Sequence, residues 1–91
     1  MELKHLKSFH AVAELLHFRR AAQRVGVTQP ALSQHILKLE AELGVKLLER
    51  DRRTVTLTPA GQTLRDETSS ALTQLEAALA SARRVGGLRE K

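Results

Sequence analysis

Apolar residues recur over the first part of the chain at three- and four-residue steps: Leu3, Leu6, Phe9, Val12, Ala13 and Leu16. That spacing predicts an amphipathic helix of about four turns. A second, shorter helix is predicted over Phe18 to Val25, with Ala21, Ala22 and Val25 turned inward. Its small residues let another helix approach closely, and Gly26 suits the left-handed residue that ends it. Thr28 has N-cap chemistry, and Pro30 costs no hydrogen bond in a first turn, so a third helix opens at Gln29. Leu32, Ile36, Leu39 and Leu43 form one apolar stripe along it, and Gly44 closes it.

The period then changes. Lys46 to Glu49 and Thr54 to Leu57 are short runs rich in Val, Leu and Thr, separated by the charged turn Arg50-Asp51-Arg52-Arg53. Alternation in the second run predicts a half-buried strand, and the pair a small hairpin that must lean on the helices. Thr58 and Pro59 restart a helix that nothing breaks until Gly86-Gly87. It is expected to end near Val85, giving roughly 27 residues and about 40 Å of length. The fold class is therefore mostly α: a winged helix-turn-helix, with three helices and a two-stranded wing, followed by one long helix. Residues 1–58 form the compact unit with the wing at about 46–57, 59–85 the long helix, and 86–91 a tail or hinge.

Charge sharpens this picture. The 91 residues carry 15 Lys and Arg against 10 Asp and Glu, a net charge of +5. Residues 1–58 hold ten bases against six acids, whereas 59–91 hold five against four, so the basic work lies in the first unit. A basic surface points to a polyanion, with nucleic acid ahead of membrane. Two Phe and no Trp or Tyr argue against the aromatic platforms that stack single strands. The absence of cysteine excludes disulfides and thiolate chemistry. With no apolar run near the roughly 18 residues of a membrane span, a soluble, cytoplasmic and nucleoid-associated chain is expected.

A helix fits the major groove of a DNA duplex, and short polar side chains at its amino end can reach base edges. Here these are Gln29, Ser33 and Gln34, with His35 and Lys38 further along. An ordinary solvated helix face is the competing reading. Arg50, Arg52 and Arg53 give the hairpin a basic tip able to grip phosphates or enter a minor groove. Its competitor is a solvated turn in which Glu49 and Asp51 pair with the arginines. Arg19, Arg20 and Arg24 lie on the second helix, which in this motif crosses the phosphate backbone.

Leu64, Thr68, Leu72, Leu75, Leu79 and Ala82 trace a narrow seam on the long helix. A helix folded onto its own domain wants a wider stripe, roughly three of seven positions. The seam therefore predicts dimerisation through paired long helices, with Leu64, Leu72, Leu75 and Leu79 at the interface; folding back is the alternative. His5, His10, His17 and His35 show neither the spacing of a helical metal site nor an orienting acid for catalysis. They read as surface or boundary residues; no enzyme activity, metal or cofactor is expected.

Taken together, Arg20-Ala21-Ala22, Val27-Thr28-Gln29-Pro30-Ala31-Leu32-Ser33, Leu39-Glu40, Leu43-Gly44-Val45, Leu47-Leu48-Glu49-Arg50 and Leu57-Thr58-Pro59-Ala60-Gly61 resemble the amino-terminal domain of LysR-type transcriptional regulators. The resemblance covers about residues 1–85. It implies a helix-turn-helix from Phe18 to Leu37, with Gln29, Pro30, Ser33 and Gln34 in the major groove. It also implies that Arg50 and Arg53 belong to a wing on the backbone or minor groove, and that the long helix links two subunits. Three positions depart from the family pattern. Arg19 stands where Ser or Thr commonly caps the second helix, Gln34 where Arg is frequent, and Leu48 where Phe is common.

The sequence thus reads as a homodimeric, sequence-specific binder of double-stranded DNA that recognises an inverted repeat. Arg19, Arg20 and Lys38 are further candidates for phosphate contact. Two alternatives stay open: a sequence-tolerant winged-helix chromosome-binding protein, and a helix-mediated protein–protein adaptor. Family members continue into a large effector-binding domain, expected to be absent here, so a small-molecule inducer is expected only for that missing part.

Overall fold

Phe9, Val12, Leu32, Leu39 and Leu47 are the largest fully buried apolar side chains of the computed structural model, which describes residues 1–89. They come from α1 (Leu3–Leu15), α3 (Gln29–Leu43) and the segment that follows it, while α2 (Phe18–Val25) adds Phe18, Ala21 and Ala22 to the same core. Ala11, Ala13, Ala21 and Ala22 fill the narrow space where these helices meet, so their axes can approach closely. Burying a side chain the size of Phe9 stabilises the fold by about 1.5–3 kcal/mol.

β1 (Leu48–Arg50) and β2 (Val55–Leu57) form an antiparallel hairpin in which Leu48 faces Leu57 and Arg50 faces Val55. Val55 and Leu57 turn inward and Thr56 outward, the alternation expected of a half-buried strand. The chain is a winged helix-turn-helix followed by α4 (Pro59–Arg89), a helix of 31 residues. The molecule measures 53 × 25 × 20 Å, its long dimension set by this helix.

Several local expectations need correction. α1 stops at Leu15, and Leu16 takes a left-handed φ of 51°, because the chain must turn sharply before α2. Arg50 lies in strand β1 rather than in the turn, since Lys46 and Leu47 are used in reaching the wing from α3. Leu43, expected in the buried stripe of α3, is 46% exposed. His5 is buried, not a surface residue.

α4 also overruns its expected end at residue 85, passing through Gly86 and Gly87 to Arg89. Neither glycine takes a positive φ, so no left-handed cap forms. An interior glycine weakens a helix by about 1 kcal/mol relative to Ala without removing a backbone donor. Residues 86–89 therefore belong to the helix rather than to a tail. Residues 90 and 91 of that expected tail lie outside the described residues.

The amino-terminal half of α4 is held on α1. His10 and Thr68 share a side-chain hydrogen bond, Lys7 Nζ lies 3.1 Å from Glu76 Oε2, and Leu64 packs against the core. Beyond that the helix stands clear of the domain. No helix among the described residues is long and apolar enough to cross a membrane.

Candidate nucleic-acid interface

The start of α3 is fixed by local hydrogen bonds. Gly26, at φ 76°, donates its N–H to Ala22 O at 2.9 Å and ends α2. Thr28 Oγ1 accepts from Ala31 N at 3.2 Å, so Gln29 and Pro30 are the first helical residues. Both are exposed at the amino end of the helix. α2 is capped by His17, whose Nδ1 accepts from Arg20 N at 3.2 Å. The cap position is thus His17 and not Arg19, which lies inside the helix. Histidine at that place carries no capping signature legible in the sequence.

One face of α3 is buried through Leu32, Ile36 and Leu39. At about 100° per residue, Pro30, Gln34, Leu37 and Lys38 point the other way, and Gln29 and Ser33 lie on the flank towards the wing. Gln34 and Lys38 are exposed, and Ser33 is half-buried at that flank. Leu37, 53% exposed, stands among these polar groups. It belongs to no apolar stripe, which is why periodicity did not single it out.

The wing is tied to α3 and α4 by specific contacts. Glu40 Oε2 accepts from Leu47 N at 2.7 Å and Leu48 N at 3.3 Å. Thr58 donates its N–H to Leu47 O at 3.1 Å and its Oγ1–H to Lys46 O at 2.6 Å, while the same Oγ1 accepts from Gly61 N at 3.0 Å to cap α4. A side chain at Gly61 would collide with the carbonyl oxygen of Leu47 and meet Leu57 Cδ2 at 3.1 Å. The first turn of α4 therefore presses directly on the base of the wing.

At the wing tip, Asp51 Oδ1 accepts from Arg53 N at 2.8 Å, Thr54 N at 2.9 Å and Thr54 Oγ1 at 3.1 Å. Those bonds hold its carboxyl below the ordinary carboxylate range. The acid thus shapes the turn through backbone groups. Among the described residues, no ion pair joins Arg50, Arg52 or Arg53 to a carboxylate, so the salt-bridged turn is not what forms. Arg50 instead lies over Phe18, 4.2 Å from the ring centroid.

These elements enclose an open groove of about 450 Å³ whose lining includes Arg19, Gln29, Arg50, Arg52 and Arg53. A smaller cleft beside it is lined by Ser33, Leu37, Lys46 and Arg50 among others. Arg20 and Lys38 are exposed and, like Arg19, have no ion-pair partner among the described residues. Arg24, by contrast, pairs with Glu14.

Away from this surface, the His5 and His35 rings lie 5.1 Å apart between α1 and α3, and His35 Nδ1 is 2.7 Å from Ser8 Oγ. Partial burial, then the positive groups of His5, Lys4 and Lys38, push the His35 imidazole below its ordinary pKa. His10 is likewise pushed down by burial. Among the described residues, no group of three His, Cys, Asp or Glu is placed to hold a metal ion. Of the candidate dimer residues, Leu64 packs on its own domain, and Leu72 is half-buried and lines an open cleft together with His10, Ala11 and Val25. Leu75 and Leu79 are 41% and 43% exposed.

The pattern of the bacterial regulatory helix-turn-helix proteins of the lysR family matches residues 3–62. The HTH-type transcriptional regulator AlsR of Bacillus subtilis (strain 168) is 50% identical over 85 residues, covering 93% of this chain. The chain spans 28% of that regulator's length. The crystal structure of a BenM_DBD/catB site 1 DNA complex superposes with a TM-score of 0.84 at 38% identity, covering 94% of this chain and 96% of that one. A CbnR_DBD–DNA complex gives a TM-score of 0.82 at 37% identity, covering 94% and 99% of the two chains.

Proposed function

The chain belongs to the lysR family of bacterial regulatory helix-turn-helix proteins, and from that premise we propose that it binds double-stranded DNA as a homodimer and reads an inverted repeat. One observation carries the reading: the exposed amino end of α3 stands beside a wing whose arginines have no carboxylate partner among the described residues. In this mechanism α3 enters the major groove, where a Gln amide matches the donor–acceptor pair of adenine and Ser33 bonds a neighbouring edge. Arg52 and Arg53 hold the backbone or minor groove, and Arg19, Arg20 and Lys38 meet phosphates. Similar domains solved in complex with DNA support the reading of a double-stranded DNA partner.

Dimerisation uses the free half of α4. Leu75 and Leu79 expose apolar surface on a helix that stands away from its domain, and a second α4 would cover them. Leu72 and Leu64 contribute at most an edge, because their own domain already covers part of each. Two α3 helices held by such a pair would meet half-sites one helical turn, or a multiple of it, apart.

The test is fluorescence anisotropy of a labelled duplex titrated at several salt concentrations, with sedimentation of the complex. The expected result is two chains per duplex and an affinity that falls linearly on a log–log plot against salt. A chain that stays unbound at low salt would exclude the reading.

A further inference from the structure

We propose that Leu37 is a specificity-determining residue that packs against the C5 methyl group of a thymine in the major groove, next to the bases met by Ser33 and Gln34. The inference rests on the reading of α3 as the recognition helix and adds to it an apolar contact of defined chemistry. On α3 the other large aliphatic residues of the first three turns, Leu32, Ile36 and Leu39, are at most 4% exposed, whereas Leu37 is 53% exposed. Its own fold leaves more than half of it open.

Its position says what could. Leu37 is the ninth residue of α3 and stands one turn beyond Ser33. At about 100° per residue its direction falls roughly 40° from Ser33 and 60° from Gln34, on the face turned from the core. It shares the cleft between α3 and the wing with Ser33, Lys46 and Arg50. A partner that occupies this place must therefore be reached by the amino end of α3 and by the wing at once, which is the shape of a duplex groove.

Among the base edges of that groove, the thymine methyl is the one apolar feature. A leucine over cytosine N4 or guanine O6 would leave a polar group desolvated and unpaired, so the contact discriminates as well as attracts. Gln34 and Lys38 flank Leu37 and are exposed, so it is a single apolar contact and not part of a broad patch for another protein.

The experiment starts from the duplex enriched by wild-type protein from a random pool. Each thymine is replaced in turn by deoxyuridine, which removes only the methyl, and affinity is measured for wild type and Leu37→Ala. The expected result is one thymine per half-site where deoxyuridine weakens wild-type binding about three- to fivefold, the worth of one buried methyl. Leu37→Ala, with a circular dichroism melt like wild type, should bind the thymine duplex more weakly and be indifferent to deoxyuridine there. Insensitivity of wild type to every replacement, or equal sensitivity in Leu37→Ala, would overturn the assignment while leaving sequence-specific binding intact. A pool with no enrichment would remove the recognition-helix reading itself.

Discussion

The guanidinium of Arg50 lies over the ring of Phe18, 4.2 Å from its centroid, and so ties strand β1 of the wing to the first residue of α2. Phe18 is 8% exposed and belongs to the core, so the contact fixes the wing against the helix-turn-helix. Arg50 is thereby set apart from Arg52 and Arg53, whose side chains are exposed beyond the strand.

Arg53→Ala and Arg50→Ala should accordingly differ. The first should leave the melting temperature unchanged and reduce the slope of log affinity against log salt by about one. The second should weaken DNA binding and also lower thermal stability, since a cation–π contact is worth about 0.5–1 kcal/mol at such a site. Thermal melts and salt titrations of both variants check this; identical behaviour would deny Arg50 its structural share.

Gln29→Ala and Ser33→Ala should each cost about 1–3 kcal/mol on the preferred duplex and little on a scrambled one, because base contacts discriminate and phosphate contacts do not. Competition titrations with both duplexes measure the ratio. Equal losses on the two would count against base readout by these side chains.

Gly61→Ala should destabilise the domain by about 1–3 kcal/mol, against the usual gain from replacing a helical glycine. The added methyl would meet the Leu47 carbonyl, whose backbone cannot move without releasing Thr58 N and Glu40 Oε2. A urea melt of the variant decides, and a neutral or stabilising change would mean that the wing base yields readily.

Much of the fold was legible because its signals are local. Thr28 and Thr58 are followed by backbone donors that a hydroxyl can reach, and Gly26 sits where a left-handed residue ends a helix. The apolar steps in α1 and α3 marked Phe9, Val12, Leu32, Ile36 and Leu39 as core. What escaped depends on residues far apart in the chain. Glu40 looks like any solvated helix acid until the wing returns to it, and Gly61 looks like a weak spot until Leu47 is seen beside it. The continuation of α4 through Gly86 and Gly87 is hidden for the opposite reason: two weak helix formers look like a stop, though neither adopts the conformation of one. In the candidate interface, Gln29, Ser33 and Gln34 stand out by their place at the helix start and Pro30 through the family resemblance alone, whereas Leu37 belongs to no pattern.

Asp at both Leu75 and Leu79 should produce monomers with an intact domain, because unpaired charges in a dry seam are costly. These two positions are exposed on the single chain, so the substitutions do not disturb its own core. Sedimentation equilibrium gives the mass, and circular dichroism the fold. A variant that remains dimeric would place the interface elsewhere.

Acidification should loosen the packing of α1 on α3. The imidazole of His35, lowered by burial and by the charges of His5, Lys4 and Lys38 with Glu2 opposing, binds its proton less readily in the folded state than in the unfolded one. Its stabilising share is therefore complete above an unfolded value of about 6.5 and is lost as pH falls below that towards the lower folded value. Melting temperatures recorded from pH 7.5 to 5 should fall, and the fall should shrink in His35→Gln. An equal fall in both proteins would assign the effect to other groups.

The central claim is tested most directly by selecting bound sites from a random duplex pool with the wild-type chain at two salt concentrations. An inverted repeat that stays enriched at the higher salt is the expected result, with half-sites spaced by one helical turn or a multiple of it. A pool without sequence preference, released as salt rises, would contradict the account and leave only backbone attraction.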